Sequence, residues 1–164
     1  MTDTAITHTW LFTFIWGLVA TAIMTTVVEG AQMLGISRMS IPFLFGTFFV
    51  DGRRRAEVVG YVLYAIGGLI FGYFYIGIFF TLGYASWWFG TVLGFVHGLF
   101  LITVMLPLMP YIHPRMASDY DGPTSLRRLE PPGPFGLNYG RLTPITTVIG
   151  QTVFGLVLGL AYAH

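Results

Sequence analysis

No cysteine occurs in the 164 residues, which removes disulfides, thiolate metal sites and thiol nucleophiles together. Lysine is missing too, since all eight basic residues are arginine, so no lysine is available for Schiff-base chemistry. Charged residues make up only 9% of the chain, against about 25% in an ordinary soluble domain, and that scarcity excludes a water-solvated globule. The net charge of +1 supplies no electrostatic footprint for nucleic acid. Residues 1–9 hold neither Lys nor Arg, so the basic n-region of a secretory signal is lacking and the first apolar stretch is expected to stay in the mature protein. There is no phosphate-cradling glycine loop, no catalytic-triad pattern and no HExxH zinc motif. These absences speak against an enzyme, and no catalytic residue is assigned.

What the chain does contain is apolar surface: 55% hydrophobic residues, 17% aromatics and 21 glycines. Four apolar segments, about 10–34, 58–80, 87–108 and 143–163, each reach the roughly 20 residues that a spanning helix needs. The expected fold is therefore one all-α membrane domain of four transmembrane helices. Arg38, Arg53, Arg54 and Arg55 lie between the first and second segments, and Arg115, Arg127, Arg128 and Arg141 between the third and fourth. The turn from Thr81 to Ser86 carries no charge. The positive-inside rule then places loops 35–57 and 109–142 in the cytoplasm and both termini outside.

Neither arginine-bearing loop reads as a plain linker. Residues 36–49 include Phe43, Phe45, Phe48 and Phe49, too apolar for a solvated loop and too short to cross, so an interfacial or re-entrant segment is expected. The second loop carries Pro131, Pro132 and Pro134 among other prolines. It should be irregular and partly extended, and its Phe135, Leu137 and Tyr139 favour folding over a partner.

An internal repeat runs through the spans. Ile66-Gly-Gly-Leu-Ile-Phe-Gly72 matches Ile149-Gly-Gln-Thr-Val-Phe-Gly155, and Gly17 and Val19 match Gly90 and Val92. In that register Met24 corresponds to His97. Two hairpins in the same orientation imply tandem parallel repeats about an axis along the membrane normal.

Polar groups inside the spans are few. Glu29, Tyr64, His97 and Gln151 fall at similar depths on faces rich in small residues, and are expected to form an interior polar layer. His97 sits beside Gly90, Gly94 and Gly98, where another helix can approach closely. Glu29 and His97 are the candidate cofactor-binding pair, as ligands or as a proton relay. The alternative is structural, a neutral Glu29 that sets helix register by a hydrogen bond to Gln151, Tyr64 or His97, and a hydrogen-bonded interior histidine. His97, Met105, Met109 and His113 form a candidate metal set, because thioether and imidazole donors suit Cu(I). The same spacing also builds an ordinary methionine stripe. Haem and copper are the two cofactors these residues would suit, and neither is assigned.

Met39-Ser-Ile-Pro42, His97-Gly98, Met109-Pro-Tyr-Ile-His-Pro-Arg-Met116 and Asn138-Tyr-Gly140 before Phe154-Gly-Leu-Val-Leu-Gly159 resemble the pattern of bacterial four-helix membrane proteins of the YagU-like kind. The resemblance implies an α-helical protein of the bacterial cytoplasmic (inner) membrane and brings no activity with it. The first functional reading is a small non-catalytic subunit of a larger membrane complex, such as a respiratory or photosynthetic one, with lipid and other membrane subunits as partners. The second is a binding or transport protein that handles haem, metal or protons through Glu29 and His97.

Overall fold

Two serines open helices by the same device. Ser40 Oγ accepts from the Phe43 amide at 3.4 Å and Ser86 Oγ from the Phe89 amide at 3.3 Å, each satisfying an amide that a first helical turn leaves free. Gly83, at φ +61°, ends the preceding helix in the left-handed conformation that a side chain would strain. The computed structural model describes residues 2–118, 120 and 122–163, and their side chains from Thr9 onward. Its elements are α1 (Thr2–Met33), α2 (Ile41–Phe49), α3 (Arg53–Leu82), α4 (Trp87–Phe100), a π-helical segment (Leu101–Met105), α5 (Leu106–Ile112), a 3-10 stretch (Pro134–Tyr139) and α6 (Thr143–Tyr162). Among the described residues no strand forms beyond isolated bridges, Met116 to Leu129 and Ser118 to Gly122.

Thr9–Met33, Arg53–Leu82, Trp87–Ile112 and Thr143–Tyr162 are each long and apolar enough to cross a bilayer, so the fold is the all-α four-helix membrane bundle the composition implied. Its bounds differ from the hydropathy reading at two places. The second span begins at Arg53 rather than near 58, because an exposed first turn tolerates three arginines and Arg53 Nε bridges Glu57 Oε1 at 2.9 Å. The third runs through Pro107 and Pro110 to Ile112 instead of stopping near 108. A proline at 107 cannot donate to the Thr103 carbonyl, and the chain widens to π-helix over Leu101–Met105, a local adjustment that keeps the rod continuous.

The loop at 35–57, expected as an interfacial or re-entrant segment, folds into a short helix packed on the start of α3. Ser37 and Met39, both about as buried as core residues, lead back into the bundle, and α2 comes out antiparallel to the start of α3. A Cβ at Gly46 would collide with the Ala56 carbonyl, and one at Gly60 with the Pro42 carbonyl. Backbone therefore lies directly on backbone, which only glycine permits.

The segment after α5 fastens this unit. His113 Nε2 lies 3.1 Å from the Leu44 carbonyl and 3.3 Å from Thr47 Oγ1, while its Nδ1 accepts from the Arg115 amide at 3.1 Å. Arg115 donates to the carbonyls of Thr47 and Phe48 and, at 2.6 Å, to Asp51 Oδ1. A cation on the free carbonyls at the C-terminal end of α2 is favoured by both the hydrogen bonds and the helix dipole.

The proline-rich loop is tied to the bundle by hydrogen bonds within the chain. Ala117 N donates to Leu129 O and Leu129 N to Arg115 O. Tyr139 Oη donates to Glu130 O at 2.6 Å, Arg38 N to Tyr139 O at 2.7 Å, and Ser37 Oγ meets Thr143 Oγ1 at 2.8 Å. Met39, Met116 and Tyr139 thereby join Ile102, Leu106 and Met109 in one apolar cluster. Asp119 and Asp121 of this loop lie outside the described residues.

Candidate functional site

Small residues place the spans. A Cβ at Gly155 would strike the Gly90 carbonyl, one at Gly94 the Gln151 carbonyl, and one at Gly159 would come 2.5 Å from the Ser86 carbonyl, so α4 and α6 touch along their backbones. On the other side Gly72 meets Gly17 Cα, and Gly68 meets Thr21. These crossings match residue for residue in the repeat register: Gly17 on Gly72 corresponds to Gly90 on Gly155, and Thr21 on Gly68 to Gly94 on Gln151. The tandem hairpins are thus built on one crossing used twice.

The two hairpins then meet at two interfaces that the repeat makes equivalent, α1 with α6 and α4 with α3. They are packed differently. α1 and α6 are close neighbours, and a Cβ at Gly150 would meet Val28 Cγ2 at 2.6 Å and Met24 Cγ at 3.6 Å. The equivalent of Gly150 is Gly67, and the equivalents of Met24 and Val28 are His97 and Leu101. A Cβ at Gly67 would meet nothing within 4 Å. Along this second interface the helices meet through long side chains, Phe71 against His97 with ring centroids 4.2 Å apart and Phe79 against Phe89 at 5.8 Å.

The space left there is a cavity of about 100 Å³ lined by residues from all four spans and α2, among them Met24, Phe45, Tyr64, Gly67, Phe71, His97, Met105, Met109, Gln151 and Phe154. Phe71 is exposed on the outside of the bundle, and His97, Leu101 and Met105 are half-buried, so the cavity reaches the lipid-facing surface between α3 and α4. Ile41, Leu44 and Phe45 of α2 close its floor, and the π segment contributes Leu101 and Met105.

Two polar groups in its wall lack partners. His97 Nδ1 is 3.3 Å from the hydroxyl of Tyr75, which is 2% exposed, whereas His97 Nε2 is buried with no hydrogen-bond partner. Gln151, 5% exposed, makes no side-chain hydrogen bond to any described residue. A buried unpaired polar group costs about 1–3 kcal/mol, so the orphaned Nε2 marks this cavity as a candidate site. No carboxylate lines it, hence a charged imidazole would have no counter-ion and the ring is neutral.

Of the expected polar layer, Tyr64, His97 and Gln151 share this cavity, Tyr64 Oη reaching Met24 Sδ at 3.7 Å. Glu29 does not join them. It lies one turn from the end of α1, accepts from Ser40 Oγ at 3.1 Å, and faces an open groove with Arg38, Arg53, Glu57, Tyr61 and Glu130. Met24 takes the deeper position, since a carboxylate is least costly where water reaches it. The expected Glu29–His97 pair is therefore parted.

The metal set is parted as well. His97, Met105 and Met109 line the cavity, but both ring nitrogens of His113 are engaged with α2 and Arg115. Burial pushes the His113 pKa below the usual histidine range; the bond to Leu44 opposes this, and the Arg115 charge adds to it. A porphyrin is too large for the cavity as it stands, given that roughly 150 Å³ is filled by one benzene. Sequence reasoning overlooked Tyr75 and Phe71. Tyr75 could have been found from the buried stripe Tyr64, Gly68, Gly72, Tyr75, Phe79, which has helical spacing.

No protein-family model matches the chain, and no curated protein or solved structure is similar to it.

Proposed function

We propose that the chain is a non-catalytic binding protein of the bilayer, which takes a small, mainly apolar molecule from lipid into the opening between α3 and α4. The observation that carries this reading is the contrast between two equivalent interfaces. One is closed at Gly150. The other is open at Gly67, with an unpartnered imidazole and carboxamide in its wall. Apolar pockets with a few convergent polar groups are the usual form of a small-molecule site. Of the cargoes considered from sequence, protons and haem lose support here, because Glu29 is remote from His97 and the cavity is small. The arginine loops face the cytoplasm in this reading, in a bacterial inner membrane.

The test is extraction. Protein purified in mild detergent is treated with organic solvent, and the extract is compared by mass spectrometry with that of Gly67→Leu, whose side chain fills the opening. The expected result is one compound in stoichiometric amount from the wild type and its loss from the variant, with helical content unchanged. Identical extracts, together with co-purifying membrane proteins in both, would replace this reading with that of an accessory subunit.

A further inference from the structure

We infer that the molecule held in this cavity presents a carbonyl oxygen to His97, the head group being a ketone, ester or quinone carbonyl on an apolar body. The inference rests on the binding function proposed above and names the ligand's chemistry. It starts from Tyr75. That hydroxyl is buried, and its hydrogen-bond partner is His97 Nδ1. A buried hydroxyl proton needs an acceptor, and in a neutral imidazole only the unprotonated nitrogen accepts. Tyr75 therefore donates to Nδ1, which fixes the ring proton on Nε2. Nε2–H is then a donor aimed at no protein atom.

A donor without an acceptor selects its ligand. A metal ion needs a lone pair, and the tautomer set by Tyr75 has none at Nε2. Moving the proton to Nδ1 would leave the Tyr75 hydroxyl without an acceptor in its place. A carbonyl oxygen has two lone pairs and needs no donor in return. It can accept from Nε2–H and from the Gln151 carboxamide, which faces the same cavity from α6. The remaining walls, Phe45, Phe71, Met105 and Phe154, offer only apolar and polarisable contacts. The size agrees, because about 100 Å³ admits the carbonyl and the adjoining part of its head group, with the rest of the molecule lying in the opening toward lipid.

The experiment uses the full-length protein in detergent and two probes with a ¹³C-labelled carbonyl, methyl palmitate and a short-chain prenyl benzoquinone, with hexadecane as the control that lacks a carbonyl. Infrared difference spectra read the carbonyl stretch. The expected result is a band lowered from its position in hexadecane for at least one probe, which identifies the source of the carbonyl. In His97→Phe the band should return to that position, with affinity about tenfold weaker. Gln151→Leu, farther from the aromatic packing, should weaken binding in the same direction if His97→Phe does not fold. Nitrogen-15 NMR of the wild type should place the ring proton on Nε2. Binding without a band shift, or a ring proton on Nδ1, would overturn the carbonyl contact while leaving the binding function standing. A bound native compound that lacks a carbonyl would do the same. An empty native extract with no binding of any probe would sink both.

Discussion

At the residue scale, the same amino acid has opposite consequences at equivalent positions. Gly67 and Gly150 occupy matching places in the two hairpins. A methyl group at Gly67 meets open space, and one at Gly150 is driven into Val28. Replacing a helical glycine by alanine where the backbone allows it stabilises by about 0.5–1 kcal/mol. Gly67→Ala should accordingly raise the unfolding temperature in detergent by a few degrees. Gly150→Ala should lower it, since overpacking costs about 1–3 kcal/mol. Thermal unfolding of the pair, followed by circular dichroism, checks the contrast. Equal shifts in the same direction would mean that the two interfaces are alike, and would remove the ground for reading the α3–α4 opening as a site. A protein under pressure for stability alone could close that opening with very little side chain, which makes its retention informative.

At the element scale, α2 depends on a distant segment for its ending. His113 presents one ring nitrogen to the Leu44 carbonyl and uses the lone pair of the other for the Arg115 amide, so the fastening needs a neutral ring. Protonation would place a hydrogen where Nδ1 now accepts and would oppose the nearby guanidinium. Because burial lowers the folded-state pKa, the unfolded chain binds more protons between that value and about 6.5. Stability is therefore fully present above pH 6.5 and declines as pH falls through this window. His113→Gln, which keeps a carboxamide donor and cannot titrate, should flatten that decline, as limited proteolysis of the loop after α5 from pH 7.5 to 5 would read. A wild-type profile with the same slope as the variant would remove His113 from the account. This element also shows where sequence legibility ended. The four spans were readable because lipid imposes length and apolarity directly. The repeat register was readable because backbone contact leaves only glycine or a small residue at each crossing. That residues 36–49 would pack against the bundle was foreseen only in outline, and the role of His113 and Arg115 was missed. Their partners are main-chain carbonyls 67 to 69 residues earlier (115 − 48 = 67 and 113 − 44 = 69), and carbonyls have no signature in a side-chain pattern. Glu29 was placed too deep for a related reason. The groove it faces is built by loop residues, Arg38, Ser40 and Glu130 among them, and hydropathy does not place those.

At the scale of the whole molecule, charge and packing follow the same asymmetry. All eight arginines lie at the end of the bundle that holds α2, the Pro-rich loop and the Glu29 groove, and the opposite end carries Trp10, Trp87 and Trp88, all exposed. Indole rings favour the headgroup level, and arginine resists transfer across the membrane during insertion. The arginine-bearing end should thus face the cytoplasm, and the cavity, near the middle of the Trp87–Ile112 span, would be reached from lipid rather than from either aqueous side. The chain has no native cysteine, so single cysteines report orientation without background. Ser125 is exposed in the Pro-rich loop, and Leu82, 60% exposed, ends α3 at the opposite end. Leu82 serves better than Ser86, whose hydroxyl caps α4. In cells with the outer barrier opened, a membrane-impermeant maleimide should label Leu82→Cys at once and Ser125→Cys only after lysis. Labelling of Ser125→Cys before lysis, with Leu82→Cys protected, would invert the protein. The cavity would keep its access from lipid, but α2 would then floor it from outside, and the arginine asymmetry would need another cause.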